Sequence, residues 1–453
     1  MRKGGVLAGL LMMEAVVWGQ GDGRGAGPES TPNDAVGSAT VSGKPVKRGA
    51  LRALFMAQKL GLDAGAEAVL QRLEQPGQIS PHEPAVMSPL PVVRAEVIEW
   101  LCKDPKAVEA LGADGLEIAH VAVLGRPNLD HVRMTVPFRA IDCTFAEGFS
   151  AINAKFSLLE LSMVRMGKFT ADGLQVEGDI RLCNFQATDE VRFAGAAVGK
   201  DLYCVNAHFD CPKRKDEIPR VLNLDGAKFE GSVYFRKGES RAGIPEGCTA
   251  LGEVNMLRIR TKGEVSCENM SLHQPKGVTL TMAGARVDGN VALGPHFTSI
   301  GEVRLHGARV GGDLYCPSTC LMSQGLRALT CDHAVIEGSV LLATEPRMCE
   351  TTSGSFTAVP QFIACGKVSF HGVAIQGDVN CAMAYIVLGT STEHAADGHT
   401  ALSLEAATIG GSLEMHSKTF VFGRMDLREA AIGRNLQIAN TSLIHEAGNA
   451  LDA

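Results

Sequence analysis

The chain has 453 residues, 45% of them hydrophobic, so it can bury a core and is not broadly disordered. Glycine accounts for 51 residues, above its usual ~7% share, while aromatics make up only 5%. A net charge of −7 and a pI near 6.0 exclude a global electrostatic pull toward nucleic acid or an anionic membrane. Abundant glycine with few rings argues against a conventional compact enzyme. It points to many tight turns around a narrow aliphatic interior with little room for aromatic side chains.

Residues 1–19 open with Met1-Arg2-Lys3 and an apolar run from Val6 to Met13, which Glu14 interrupts before Ala15-Val16-Val17-Trp18-Gly19. This segment is a candidate signal peptide or weak anchor, with an unstructured N-terminus as the alternative. No other stretch approaches the ~18 consecutive apolar residues of a spanning helix. Residues 20–47 are rich in Gly, Ser, Thr and Pro and read as a disordered linker. Residues 48–114 read as a helical cap. Two short amphipathic helices occupy 48–75, broken near Gly61-Leu62-Asp63, and Pro76 to Pro91 is a loop. A further helix is expected over Val92–Lys103, where Val93, Val97, Trp100 and Leu101 share a stripe.

From residue 115 the hydrophobic period changes to two, around a glycine-centred repeat. Ten ungapped units of fourteen residues align, beginning at residues 169, 191, 222, 254, 280, 303, 329, 368, 402 and 425. Residues 115–168 look like two degenerate copies. Position 12 is Ile, Leu or Val in all ten units, and position 10 is Gly in eight. Apolar pairs at positions 1 and 3, 6 and 8, and 12 and 14 each describe a very short strand pointing inward. Glycine at positions 5 and 10 suits corners, and Asp, Asn or Ser at position 11 suits capping of turn amides. The closest unit starts lie 22 or 23 residues apart, which is one coil. One coil cannot bury its apolar side alone, but stacked coils can. The predicted fold is therefore mainly β: a parallel β-helix, or solenoid, over 115–438, with 439–453 as a C-terminal cap or tail. Extra residues fall after position 14, in 205–221, 236–253, 343–367 and 382–401, and are expected to leave the rod from one corner.

The run VRAEVIEWLCKDPKAVEALGADGLEI, followed by units of the form G-A-x-[VI]-x-G-[DS]-[LV], resembles a bacterial β-solenoid family that is itself similar to pentapeptide-repeat proteins. Its members are often labelled "membrane-associated oxidoreductase". The resemblance spans residues 92–440. It implies a repeat solenoid and supplies no catalytic residues.

Thirteen cysteines raise the question of redox or metal chemistry. Cys204, Cys267, Cys316 and Cys381 occupy inward position 14 in alternate coils, ~9.6 Å apart along the axis, too far for a disulfide or a shared metal. They read as small core hydrophobes, and many buried thiols favour a reducing compartment. Cys211, Cys248, Cys349 and Cys365 lie in or beside insertions, where a Cys349–Cys365 disulfide is the alternative to free thiols.

Outward position 4 brings His306, Asp332, His371 and Glu405 into one polar column if coils 6 to 9 stack in register. Such a column could hold a divalent metal or transfer protons; the plainer reading is a solvated ladder. Tyr203, Tyr234 and Tyr315 at outward position 13 could form a sugar platform, or simply pack across strands. No dinucleotide, phosphate-loop, zinc-protease or nucleophile-elbow motif is present, so no cofactor is expected.

The expected function is a non-enzymatic structural or interaction protein, presenting its surface and the insertion loops 205–221, 236–253, 343–367 and 382–401 to a protein or surface partner, without nucleic acid. A polysaccharide-active β-helix enzyme using the polar column is one alternative. Peripheral membrane association through residues 1–19 is another. The expected location is the cytoplasm or its membrane surface, or outside the cell if residues 1–19 are cleaved.

Overall fold

The structure is a computed structural model. It describes residues 50–57, 63–74, 90–211, 219–239, 246–342, 348–350, 356–358, 361–388, 399–445 and 448–453. The N-terminal segment 1–19, the linker 20–47 and most of the proline-rich stretch lie outside the described residues.

The repeat folds as a parallel β-solenoid. A complete coil contributes four short strand segments, seen in the coil that holds Phe169–Thr170, Gln175–Val176, Ile180–Cys183 and Gln186–Ala187. We call the ladders that these four segments build faces I, II, III and IV. Face III contains 13 strands, from Leu116–Ala119 to Leu436–Ile438, and face II contains 11. Faces I and IV merge into one sheet of 22 strands, because several coils run through their shared corner as one strand, such as Phe297–Arg304. Thirteen coils at ~4.8 Å each make a rod of roughly 62 Å. Three face III strands, not two, precede the unit at residue 169, so the degenerate copies conceal an extra coil.

Period-two alternation sets what is inside. In Ile180–Cys183, Ile180 and Leu182 are buried, and Arg181 faces out. The first coils depart from the expected aliphatic interior. Phe138, Phe149, Phe169 and Phe193 form a continuous buried row, with neighbouring centroids 5.2–5.5 Å apart. The fully buried Ala140, Ala151, Ala154 and Ala171 supply compensating small volumes, so the rings fit a close-packed core.

The two glycine positions have different causes. Position 5 is left-handed in every unit, with φ between 54 and 66° and glycine in six of ten; Arg258, His333, Ala406 and Glu429 hold the same conformation without glycine. Position 10 corrects the sequence reading, because none of its glycines has a positive φ. A Cβ there would instead strike the coil before it. At Gly312 it would lie 2.1 Å from Asn290 Oδ1, and at Gly411 2.1 Å from Asp378 Oδ1. Those oxygens belong to position 11 and are already engaged. Asn290 Oδ1 accepts from Asp313 N–H at 2.8 Å, Asp313 Oδ1 from Ser339 N–H at 2.7 Å, and Asp378 Oδ1 from Ser412 N–H at 2.6 Å. The expected turn cap therefore runs between coils. It links them along one corner, and glycine leaves the space it needs.

Two helices precede the first coil, and the second of them packs against it. Helix α1 spans Ala50–Ala57 and α2 spans Ala64–Glu74; α2 buries Val69, Leu70 and Leu73. Arg72 Nε and Nη2 both donate to Glu117 Oε1 on the first face III strand, at 2.9 and 2.5 Å. The helix expected from Val92 starts later. Val92–Arg94 is a strand, paired in parallel with Ala122–Leu124, and helix α3 spans only Ala95–Lys103. Helix α4, Pro105–Leu111, follows; Asp104 caps it by accepting from Lys106 and Ala107 N–H, and Pro105 sits in its first turn.

Two further expectations change. The insertions leave from two corners, one on each side of face IV. Residues 240–245 and the region 343–360 precede a face IV strand, whereas 212–218 and 389–398 follow one. Asn206 braces one insertion at both ends, since its Oδ1 accepts from Gly238 and Gly247 N–H at 2.8 and 2.9 Å. Residues 439–453 do not form a separate cap. Thr441–Ile444 and Leu451–Asp452 extend faces IV and I by another strand each. The last coil leaves Leu436, Ile438, Ile444 and Leu451 exposed.

Candidate functional site

The polar column assembles only in part. His306, His333 and His371 stand edge to face along one corner, with centroids 5.6 and 5.3 Å apart. His333 was absent from the predicted column because it belongs to position 5. Its φ of 56°, where most units have glycine, puts it between the two expected histidines. His371 Nδ1 lies 3.5 Å from Glu405 Oε2, and Glu405 Oε1 receives Arg428 Nη2 at 3.1 Å.

Asp332 is used differently. Its Oδ1 accepts from Ser369 Oγ at 2.5 Å and from His371 N–H at 3.2 Å, while Arg327 Nη1 approaches Oδ2 at 3.5 Å. Asp130 repeats this arrangement in an early coil, accepting from Ser150 Oγ at 2.6 Å and Ile152 N–H at 2.8 Å. An aspartate at position 4 is thus a second inter-coil cap. Among the described residues, no group of three or more His, Cys, Asp or Glu is arranged to hold a metal ion. The arrangement joins the coils and offers solvent a row of imidazole edges.

Beyond Glu405 lies an ion-pair network. Asp426, almost fully buried, receives Arg428 Nη2 at 2.7 Å and Arg424 Nη2 at 3.3 Å. Burial pushes its carboxyl up, but the Arg428 side-chain and amide hydrogen bonds and the charges of Arg428 and Arg424 outweigh that. The net effect holds the group below its ordinary range and raises the Arg428 guanidinium.

The tyrosines pack across strands. Tyr203 and Tyr234 stack with centroids 5.3 Å apart and planes 20° from parallel, and the Arg236 guanidinium lies 3.9 Å over Tyr234. Burial, then the hydrogen bond from Tyr203 to Asp201, pushes the Tyr203 phenol up to about 12. Tyr315 lies three coils further on, beyond Ser266 and Ala292.

The inward cysteine file is present as expected. Cys204, Cys267, Cys316 and Cys381 are buried free thiols, and burial pushes each of them up, Cys381 to about 12. Cys248 joins them from face IV, donating to the Cys204 carbonyl at 3.2 Å. Cys365 is also a free thiol; the side chain of Cys349 lies outside the described residues. An open groove of about 450 Å³ runs past Arg126, Asp130, Lys168 and Thr170, in the early coils and away from the histidines.

One surface escaped the sequence reading. Position 7 on face II reads Lys228, Arg260, Arg286 and Arg309 in four consecutive coils, paired in register and all exposed. The signal is visible in the aligned units as a run of basic residues at position 7. No protein-family model, curated protein or solved structure matches this chain. No helix among the described residues is long and apolar enough to cross a membrane.

Proposed function

We propose that the protein is a non-enzymatic scaffold whose solenoid holds outward side chains in straight files and presents them to a partner. The observation that supports this reading is the inter-coil capping. Carboxylates and amides at positions 4 and 11, the first of them the file expected to hold a catalytic column, are engaged with the backbone of the next coil. They stiffen the stack and keep its outer files at one pitch. Kinship with the pentapeptide-repeat-like solenoids belongs to the same proposal, as does use of the insertion loops, most of which lie outside the described residues. The oxidoreductase label of that family gains no residue here.

The test is recovery of a retained molecule. The full chain is immobilised and exposed to defined protein and polysaccharide panels, and whatever is retained is eluted and weighed by mass spectrometry. A scaffold returns its partner with unchanged mass. A partner recovered cleaved or oxidised overturns the reading, and so does a chain that retains nothing.

A further inference from the structure

In a chain of net charge −7, face II concentrates positive charge. Lys228, Arg260, Arg286 and Arg309 are directly opposite one another on consecutive strands, at a pitch of ~4.8 Å. Like charges in that relation repel and weaken the ladder. Neighbouring groups relieve little of this. Glu230 is paired with Lys262, and Asp288 lies 4.0 Å from Arg286. Arg258, on the flanking corner, is held by Asp225 at 3.0 Å. Lys228, Arg260 and Arg309 have no ion pair or hydrogen bond from their side chains among the described residues. Ala197 and Val335 end the file on either side. The file is thus a bounded run of four exposed cations on a flat strand ladder.

We propose that this file binds an extended acidic polysaccharide, with successive carboxylate-bearing sugars lying along successive coils. The inference rests on the scaffold reading and names its partner. The match is one of spacing and chemistry. A sugar ring advances its chain by close to one coil rise, and a uronate places one carboxylate on each ring. Arginine recognises a carboxylate with two parallel hydrogen bonds. Three other anionic partners fit less well. Single-stranded nucleic acid binds by stacking its bases on aromatic side chains, and positions 5, 7 and 9 of these four coils contain none. The phosphates of a duplex wind away from a straight file. A bilayer presents a broad front, on which the flanking Glu230 and Asp288 would be repelled.

The experiment uses the full chain and sodium polygalacturonate, with fully methyl-esterified polygalacturonate and dextran as uncharged controls. Binding is measured by calorimetry for the wild type, for Arg260→Glu/Arg286→Glu, for the milder Arg260→Gln/Arg286→Gln, and for Lys276→Glu, an exposed cation off the file. Circular dichroism confirms that each variant is folded. The wild type is expected to bind polygalacturonate and neither control. Charge reversal is expected to weaken binding by about tenfold or more, the glutamine pair by less, and Lys276→Glu by less than about twofold. Equal binding by the wild type and the reversed variant overturns the inference while leaving the scaffold reading intact. So does tighter binding of duplex DNA or of phosphatidylserine vesicles than of polygalacturonate. Recovery of shortened polygalacturonate overturns the scaffold reading, even if the file holds the polymer.

Discussion

Gly312→Ala tests the corner that joins the coils. The backbone at Gly312 does not have a positive φ, so alanine is conformationally acceptable there. The obstacle is the Asn290 carboxamide oxygen, 2.1 Å from the new Cβ; the nearest backbone atom is the Gly289 carbonyl carbon at 3.1 Å. Asn290 must therefore swing away, and it then releases the Asp313 amide, which it accepts at 2.8 Å. Losing such a cap costs about 1 kcal/mol, and the remaining backbone crowding adds about 1 kcal/mol. Asn290→Ala alone loses only the cap, about 1 kcal/mol. In the double variant the cap is lost once and not twice. Its total cost is then about 2 kcal/mol rather than the 3 kcal/mol of simple addition, a coupling of about 1 kcal/mol. Urea denaturation followed by circular dichroism, with hydrogen exchange at the Asp313 amide, reads both terms. Additive costs, or an Asp313 amide equally protected in all four proteins, would refute this account of position 10.

Three other expectations follow from the same geometry. Ala406 holds a left-handed conformation with φ 54°, so Ala406→Gly should stabilise the chain by about 0.5–1 kcal/mol and raise its urea midpoint; an unchanged or lower midpoint would count against strain at that corner. Asp426 is held below its ordinary carboxyl range, so it stabilises the fold above its unfolded value, and that contribution is lost as pH falls through the lower folded value. Asp426→Asn should therefore destabilise the protein at neutral pH and flatten its acid sensitivity, and a variant as acid-sensitive as the wild type would contradict the assignment. Burial pushes up the thiols of Cys204, Cys267, Cys316 and Cys381, so in the native protein they should resist iodoacetamide while half-buried Cys183, Cys211, Cys320 and Cys365 are modified first; mass mapping of the labelled peptides decides.

The solenoid was legible because its inward positions repeat with a strict two-residue alternation that no helix could satisfy. The inward cysteine file followed from the same alignment. What stayed hidden depended on contacts between coils, which a single unit does not display. Glycine at position 10 looks like a turn residue until the preceding Asn290 or Asp378 side chain is seen against it. Asp332 looks like one member of a catalytic column until its carboxylate is found on Ser369 and the His371 amide. His333 stays hidden because position 5, glycine in six of ten units, displays itself in sequence as a backbone position. Val92–Arg94 has a helical stripe, yet its backbone groups complete the edge of face IV. The buried phenylalanine row shows that low aromatic content did not imply an aliphatic interior. The few rings present are mostly inside.

The spacing of the cation file can be tested directly with galacturonate oligomers. Dimer, tetramer and octamer are titrated into the full chain by calorimetry at one ionic strength. Four cations at the pitch of the coils predict a marked gain in affinity from dimer to tetramer and little further gain from tetramer to octamer. An affinity that keeps climbing with oligomer charge, or that is the same for all three, would contradict a scaffold that reads its partner one coil at a time.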